Sequence, residues 1–190
     1  QIHDQGAPDV MKWVEVPDLQ PGPGEALLRQ TAVGLNYIDV YQRSGGYKLD
    51  LPSCIGMEGV GIVDAIGDGV EGIQVGDRVG YVMGPPGSYA EQRVYPADRL
   101  IPLPEDITET QAAGMLLKGL TVSYLIHRTF NPKAGDTVLF HAAAGGVGMI
   151  ACQWLKQRGV TVIGTVGSDE KAEIAKNYGC DHPIIYTREN

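Results

Sequence analysis

The sequence lacks any apolar run close to the roughly 18 residues that a membrane-spanning helix requires, and no signal-peptide pattern opens it. Cysteine is scarce: Cys54, Cys152 and Cys180 are odd in number and far apart, which excludes a disulfide framework and a CxxC metal site. Positive charge is scarce too, since 15 basic residues face 23 acidic ones and leave a formal net charge of −8. A surface that tracks nucleic-acid phosphates is therefore not expected. We predict a cytoplasmic protein with neither a membrane nor a nucleic acid as partner.

Glycine, by contrast, is abundant at 26 of 190 residues, about twice its average usage. That frequency indicates many tight turns and close backbone approaches. In the first half of the chain, short apolar segments alternate with Gly- and Pro-containing turns, which is typical of a mostly antiparallel β domain or barrel. We expect its strands at 25–31, 59–66, 75–82, 88–95 and 100–103. Trp13, with Met11 and Val14, is also expected in a strand or core.

Helical patterns appear weakly at 36–43 and more clearly from Thr108, which has capping-box spacing to Gln111. This second helix is predicted to run on to Arg128. The segment TVLFH at 137–141 then predicts a fully buried strand, followed by a helix, a strand at 160–165, a helix capped by Ser168 and a strand at 183–186. The order βαβαβ is half of a doubly wound sheet. We predict domains at 1–121 and 122–190.

The loop after TVLFH has the spacing of a dinucleotide-binding turn. Residues 143–148 read A-A-G-G-V-G, which is G-x-G-x-x-G with Ala143 in the first place and Gly145 and Gly148 in the others. Such a turn leaves no side chain where a pyrophosphate approaches, and the backbone N–H groups that open the next helix bind the diphosphate. Because the loop lies between a strand and an amphipathic helix, it predicts nucleotide binding.

The end of the second strand of this unit indicates which nucleotide. NAD-binding folds place an acid about 20 residues after the loop to hold the ribose 2′-hydroxyl. Here the corresponding residues, 165–168, read T-V-G-S, while Asp169 and Glu170 fall in a first helical turn and Lys171 follows them. A neutral platform beside a lysine suits a 2′-phosphate better than a hydroxyl, so we predict NADPH.

With AAAGGVG, KGLTVSYL, GDRV and NYIDVYQRSGGY in place, essentially the whole chain resembles the zinc-free quinone oxidoreductase (zeta-crystallin-like) branch of the medium-chain dehydrogenase/reductase superfamily. The resemblance implies an α/β protein with an N-terminal GroES-like β-barrel catalytic domain and the first βαβαβ half of a Rossmann domain. It also implies a homodimer. Members of this family continue well beyond position 190, and the chain begins at Gln1 without a methionine, so we expect it to be part of a longer polypeptide.

The resemblance implies cofactor contacts at three places. Around the nicotinamide half it places Asn36, Tyr37, Ile38, Asp39, Tyr41, Thr121 and Tyr124, with Asn36 organising the loop backbone. Gly146 and Val147 join Ala143, Gly145 and Gly148 at the pyrophosphate. Around the 2′-phosphate it places Gly167, Ser168, Lys171 and Tyr186.

Zinc-dependent relatives have a cysteine where Asn36 stands and a histidine where Met57 stands, and they carry a cysteine-rich lobe that is missing here. We therefore expect no metal, and Glu58 beside Met57 reads as a structural acid. The expected activity is NADPH:quinone reduction, by a one- or two-electron course. The catalytic candidates are Tyr41 and Tyr47, the latter at the mouth of the substrate cleft, which would stack on the acceptor or donate to a developing oxyanion; partly buried barrel tyrosines are the other reading.

Two further functions stay open at this point. One is hydride delivery to an enone or enoyl thioester by the same chemistry. The other is a cofactor-binding protein with a structural or RNA-binding role, against which the net charge of −8 counts.

Overall fold

The computed structural model describes residues 1–189 and shows two compact units, Gln1–Leu117 and Lys118–Asn190. This division falls four residues before the boundary expected from the sequence, and both positions lie within one helix. Over the residues described, no helix combines the length and the apolar character needed to cross a membrane.

The first unit is built on an antiparallel sheet of five strands in the order β4-β1-β2-β3-β5. The strands are β1 (Glu25–Gly34), β2 (Glu58–Ile66), β3 (Arg78–Val82), β4 (Gln92–Pro96) and β5 (Ile101–Pro102). Alternate residues of neighbouring strands meet in one core: Leu28 is opposite Val63 and also borders β4, while Tyr81 and Tyr95 stack in the same layer with ring centroids 4.5 Å apart. This alternation of buried side chains is what the period of a half-buried strand requires.

Two strands are shorter than predicted because turns take up their first residues. Before β3, Gly76 has a positive φ and the Asp77 carboxylate accepts a hydrogen bond from the Gln74 N–H. Before β4, the residues from 83 to 90 form a loop whose Gly87 and Ser88 N–H groups both donate to the Gly56 carbonyl. The strand or core position expected for Trp13 is wrong: its segment has no regular structure and its side chain is 76% exposed.

Two helices accompany this sheet. Helix α1 (Tyr37–Ser44) ends at Gly45 in the left-handed conformation, as helices commonly do. Helix α2 (Glu109–Tyr124) opens with the predicted capping box, since the Gln111 N–H donates to Thr108 Oγ1 at 3.2 Å and the Thr108 N–H donates to Gln111 Oε1 at 3.0 Å. The chain continues from α2 into a π-helical segment, Leu125–Thr129.

The second unit is a parallel sheet in the order β6-β7-β8, with strands β6 (Thr137–Phe140), β7 (Thr161–Val166) and β8 (His182–Ile185). Helices α3 (Gly146–Gln157) and α4 (Asp169–Asn177) connect them, which confirms the predicted βαβαβ order. The prediction that β6 is fully buried is wrong, because Leu139 is 58% exposed. Among the described residues, β6 pairs with β7 alone. Val138 and Phe140 of β6 pack on the core, whereas Thr137 and Leu139 are exposed.

Candidate functional site

The turn between β6 and α3 is shaped by backbone contacts that leave no room for a side chain at Gly148. A Cβ there would lie 2.6 Å from the Ala143 carbonyl oxygen and would overlap that of Ala142. The turn itself closes with a hydrogen bond from the Gly145 N–H to the Ala142 carbonyl at 2.8 Å. Gly148 therefore provides the close contact between helix and strand that the dinucleotide motif demands.

Ala143, the alanine in the first motif position, is completely buried, and its N–H donates to the Thr165 carbonyl of β7 at 3.1 Å. The residue in the left-handed conformation is its neighbour Ala142, with φ at 54°. An alanine fits the first position because the unusual backbone conformation lies one residue earlier. This shift could not be read from the glycine pattern.

Helix α3 begins at Gly146 behind Gly145, and neither a capping side chain nor an acid occupies its first turn in the described residues. The first N–H groups of a helix have no acceptor within the helix, so those of Gly146 and Val147 are available to an anion. Bare glycines and available N–H groups together fit a diphosphate.

The end of β7 lies at the same edge of the sheet as this loop, because the strands are parallel. There the hydroxyl of Ser168 caps α4 by accepting from the Lys171 N–H at 3.3 Å. A Cβ on Gly167 would lie 2.8 Å from the Tyr186 hydroxyl, and the Tyr186 ring is 62% exposed. The four residues predicted around a 2′-phosphate thus lie at one edge.

Arg188 is a further cation at this edge, which the sequence did not indicate. Both terminal nitrogens of Arg188 bind the Asp169 carboxylate, at 2.8 Å and 2.9 Å. The pair offsets the negative charge of the acid that follows Ser168. Arg188 stands two residues after Tyr186, in a segment whose sequence shows no periodic signal.

In the first unit, the structure brings three tyrosines together on α1 and the turn after it. The rings of Tyr37 and Tyr41 meet edge-to-face at 5.1 Å, and those of Tyr41 and Tyr47 at 5.5 Å. All three are exposed, at 69%, 44% and 53%. Tyr41 and Tyr47 therefore lie on α1 and the turn after it, outside the strands of the sheet. Gln5 fixes this turn, since its amide donates to the carbonyls of Gln42 and Tyr47.

The polar residues at the start of α1 are engaged inside the fold. Asp39 is buried, and its Oδ2 accepts from the Asn36 N–H and from the Tyr89 hydroxyl, both at 2.9 Å. Burial raises the pKa of Tyr89, and the hydrogen bond to Asp39 raises it further. The Asn36 amide donates to Glu58 Oε2 at 2.7 Å. Side chains held in this way position the loop beside the half-buried Ile38, and the cofactor contacts expected of this loop stay predictions.

Thr121 and Tyr124 lie one turn apart on α2, with Thr121 half-buried and Tyr124 51% exposed. Residues three apart share a helix face, so both side chains can contact one ligand. Their roles toward a nicotinamide stay predictions, as do those of the other site residues.

The position that holds a zinc ligand in the zinc-dependent relatives has a different chemistry here. Met57 is buried, and its sulfur accepts a hydrogen bond from the Gln42 amide at 3.6 Å. Across residues 1–189, no three His, Cys, Asp or Glu side chains lie close enough to hold an ion. Cys152 is also unsuited to chemistry, because burial raises the pKa of its thiol to about 12.

Two protein families match the chain. Residues 22–105 match the alcohol dehydrogenase GroES-like domain, and residues 146–190 match the family described as zinc-binding dehydrogenase. A quinone oxidoreductase of Pseudomonas aeruginosa is 48% identical over 191 residues, which span 100% of this chain and 59% of that protein. The crystal structure of the Escherichia coli quinone oxidoreductase complexed with NADPH superposes with a TM-score of 0.97 at 44% identity, covering 100% of this chain and 58% of that one.

The chain belongs to the quinone oxidoreductase branch of the medium-chain dehydrogenase/reductase superfamily. This confirms the predicted family and the predicted fold class, with a GroES-like domain before a partial Rossmann sheet. A 2-haloacrylate reductase of Burkholderia is 44% identical over 195 residues, again 100% of this chain and 59% of the relative. The chain thus spans about three-fifths of the length of these relatives.

Proposed function

We propose that this chain binds NADPH and serves a zinc-independent reduction of quinones. The observation that carries the proposal is the loop between β6 and α3, where Gly148 excludes a side chain and the first turn of α3 has no capping side chain among the described residues. The related Escherichia coli quinone oxidoreductase has been solved with NADPH. The bare backbone of the loop between β6 and α3 suits the diphosphate of that cofactor.

The edge around Gly167 and Ser168 favours the phosphorylated cofactor. Lys171 is exposed in the first turn of α4, and Arg188 occupies the carboxylate of Asp169, the acid nearest to the cap. A ribose 2′-hydroxyl would need an acid as its acceptor, whereas a 2′-phosphate needs cations and hydroxyl donors. Ser168 and Tyr186 supply hydroxyls, and Lys171 supplies the charge.

When bound, the cofactor supplies a hydride from its nicotinamide ring. The protein then has to hold an acceptor flat and stabilise the oxygen on which negative charge develops. The exposed tyrosines 37, 41 and 47 offer ring edges and faces for an aromatic acceptor, and the hydroxyl of Tyr41 or Tyr47 can donate a hydrogen bond to that oxygen. A quinone delocalises the negative charge, so its reduction needs no metal. This agrees with Asn36, which stands where zinc-dependent relatives have a cysteine and whose amide donates to Glu58.

The test is calorimetric titration of the chain with NADPH and NADH. We expect NADPH to bind at least about tenfold more tightly, because each charge-assisted bond to a phosphate contributes 1.5–3 kcal/mol. Lys171→Met should remove most of that preference and leave NADH affinity unchanged. Lys176→Met, an exposed lysine of the same helix that is paired with Glu173, is the matched control. Equal affinity for the two cofactors, or no binding, would contradict the proposal.

A second candidate is reduction of an α,β-unsaturated acid or carbonyl compound, favoured by the 44% identity to a 2-haloacrylate reductase. Comparing the turnover of a quinone with the turnover of a 2-haloacrylate or an enoyl thioester distinguishes the two functions. Tyr47→Phe should reduce quinone turnover if its hydroxyl donates to the acceptor, and leave it unchanged if only the ring stacks. The cytoplasmic location and the homodimer stay predictions. The net charge of −8 counts against an RNA-binding role.

A further inference from the structure

The loop of residues 83–90, which precedes β4, carries Tyr89 to the start of α1. The loop contains neither helix nor strand, and Met83 and Gly84 have a positive φ. Because such a loop has no ladder of hydrogen bonds of its own, its backbone groups need partners on other elements. The side chain that holds Tyr89 in place therefore has to be sought outside the loop.

Gln30 of β1 binds the carbonyl groups on both sides of Tyr89. Its amide nitrogen donates to the Ser88 carbonyl at 2.9 Å and to the Ala90 carbonyl at 2.7 Å. These two bonds use both N–H groups of the amide. Gln30 is half-buried, and a backbone carbonyl that loses its donor in such a place costs free energy. The Gln30 side chain thus fixes the two peptide groups that flank Tyr89.

Tyr81 fixes the orientation of this amide from its other side. The Tyr81 hydroxyl donates to Gln30 Oε1, and Gly59 of β2 makes room for the pair, because a Cβ there would overlap both oxygens. Tyr81 is fully buried, and the guanidinium carbon of Arg93 lies 4.7 Å from the centre of its ring. A reversed amide would turn its oxygen toward the two loop carbonyls, where a donor is required. Gln30 is therefore held in one orientation.

The position of Tyr89 affects the exposed aromatic rings of α1. The Tyr89 hydroxyl donates to Asp39 Oδ2 at 2.9 Å, and the same oxygen accepts from the Asn36 N–H at the start of the helix. Tyr37 and Tyr41 lie two residues to either side of Asp39. A displacement of Tyr89 is thus passed through one hydrogen bond to the turn that presents both rings.

We propose that Gln30 is a positioning residue for the acceptor site on α1, and that it acts through Tyr89 and Asp39. The inference rests on the proposed quinone reduction and extends it to a residue of β1. Side chains in one hydrogen-bond network are energetically coupled, so the loss of the Gln30 amide has to be measurable at the Tyr89 hydroxyl and at the acceptor.

Three variants distinguish positioning from a general loss of stability. Gln30→Met keeps the length of the side chain and removes both of its donors. Tyr81→Phe removes only the hydroxyl that donates to Gln30 Oε1, so its effect should be smaller. Gln92→Met replaces an exposed glutamine on the neighbouring strand β4 and is the matched control.

The first measurement is the NMR chemical shift of Tyr89 in the chain labelled with ¹³C at tyrosine Cζ, the carbon that bears the hydroxyl. Tyr89→Phe assigns the resonance. We expect this resonance to move in Q30M, to move less in Y81F and to stay in place in Q92M. Circular dichroism verifies that each variant is folded, and a merely less stable but folded chain keeps the parent shift.

The second measurement is calorimetric titration with tetramethyl-1,4-benzoquinone as the probe. Q30M should bind this quinone at least about threefold more weakly than the parent chain, which corresponds to the lower end of coupling within one network. Q92M should bind it equally well. Adding Q30M to Y89F should cause no further loss, because the hydrogen bond to Asp39 is already absent.

An unmoved Tyr89 resonance in folded Q30M overturns the inference. Unchanged quinone affinity in Q30M also overturns it and leaves the proposed function intact, because the network would then serve the loop alone. So does a full additional loss in Q30M/Y89F. If Q30M does not fold, the same criteria apply to Y81F. A parent chain that binds no quinone contradicts the proposed function, and the inference falls with it.

Discussion

The carboxylate of Glu58 joins three elements of the first unit, and its replacement tests how the candidate site is held. Glu58 is fully buried at the first position of β2. Its Oε2 accepts from the Asn36 amide at 2.7 Å, just before α1, and its Oε1 accepts from the Leu117 N–H of α2 at 2.8 Å. Gly34 makes room for it, because a Cβ at that position would overlap the carboxylate.

Glu58→Gln changes one of these two oxygens into an amide nitrogen of nearly the same size. In either orientation, the new amide N–H group faces a donor, because Asn36 and Leu117 both donate to the carboxylate. A buried donor left opposite another donor costs about 1–3 kcal/mol, and the lost charge-assisted bond adds to it. We expect E58Q to lower the free energy of unfolding by about 2–3 kcal/mol, which for a chain of this length lowers Tm by roughly 4–12 °C.

A second substitution distinguishes the lost polarity from a loss of packing. Asn36→Asp alone brings two carboxylates together and should also destabilise the chain. Combined with E58Q it reverses the pair: the new amide donates to the new carboxylate and keeps its oxygen for the Leu117 N–H. We therefore expect N36D/E58Q to recover most of the lost stability.

Urea denaturation of the four proteins, followed by circular dichroism, measures this double-mutant cycle. The coupling energy between the two positions should favour the double variant by at least about 2 kcal/mol. A double variant whose destabilisation equals the sum of the single ones would refute the reasoning. So would an E58Q protein as stable as the parent.

Further predictions concern two glycines and a buried cysteine. Gly148→Ala should abolish measurable NADPH binding and lower the free energy of unfolding by about 1–3 kcal/mol, because its Cβ would overlap backbone oxygens. Gly114→Ala on α2, where a Cβ meets nothing within 4 Å, should instead be stabilising. Calorimetry measures the binding, and urea denaturation measures the stability of both variants. The buried Cys152 thiol, with its pKa raised from 9.0 to about 12, stays protonated in the fold while the unfolded thiol ionises. Its contribution to stability is therefore present below pH 9.0 and is lost as pH rises toward 12. Cys152→Ala should show a weaker loss of stability between about pH 8 and about pH 10, and an identical pH profile for the two proteins would contradict the assignment.

The elements with local signals were predictable from the sequence. Thr108 and Gln111 start α2 through contacts three residues apart, and Gly148 has to be bare wherever a strand turns into a helix this tightly. The exposure of Leu139 was not predictable, because an apolar run reports hydrophobicity and not which face of a sheet is covered. Neither was the shortening of β4, which depends on hydrogen bonds from Gly87 and Ser88 to a residue about thirty positions earlier.

Some contacts of the candidate site were likewise predictable from local sequence, and others were not. The spacing of Gly145 and Gly148 identifies them in the sequence, whereas Arg188 contacts Asp169 at the carboxyl edge of the sheet from a segment with no motif of its own. A formal net charge of −8 describes the whole chain and does not show where individual cations such as Lys171 and Arg188 lie. The field at an anion site depends on the nearest few charges, because the Debye length at physiological salt is only about 8 Å. For that reason an acidic chain can present a phosphate-binding edge, and the titrations with NADPH and NADH proposed for the Lys171 variant test the contribution of one nearby cation.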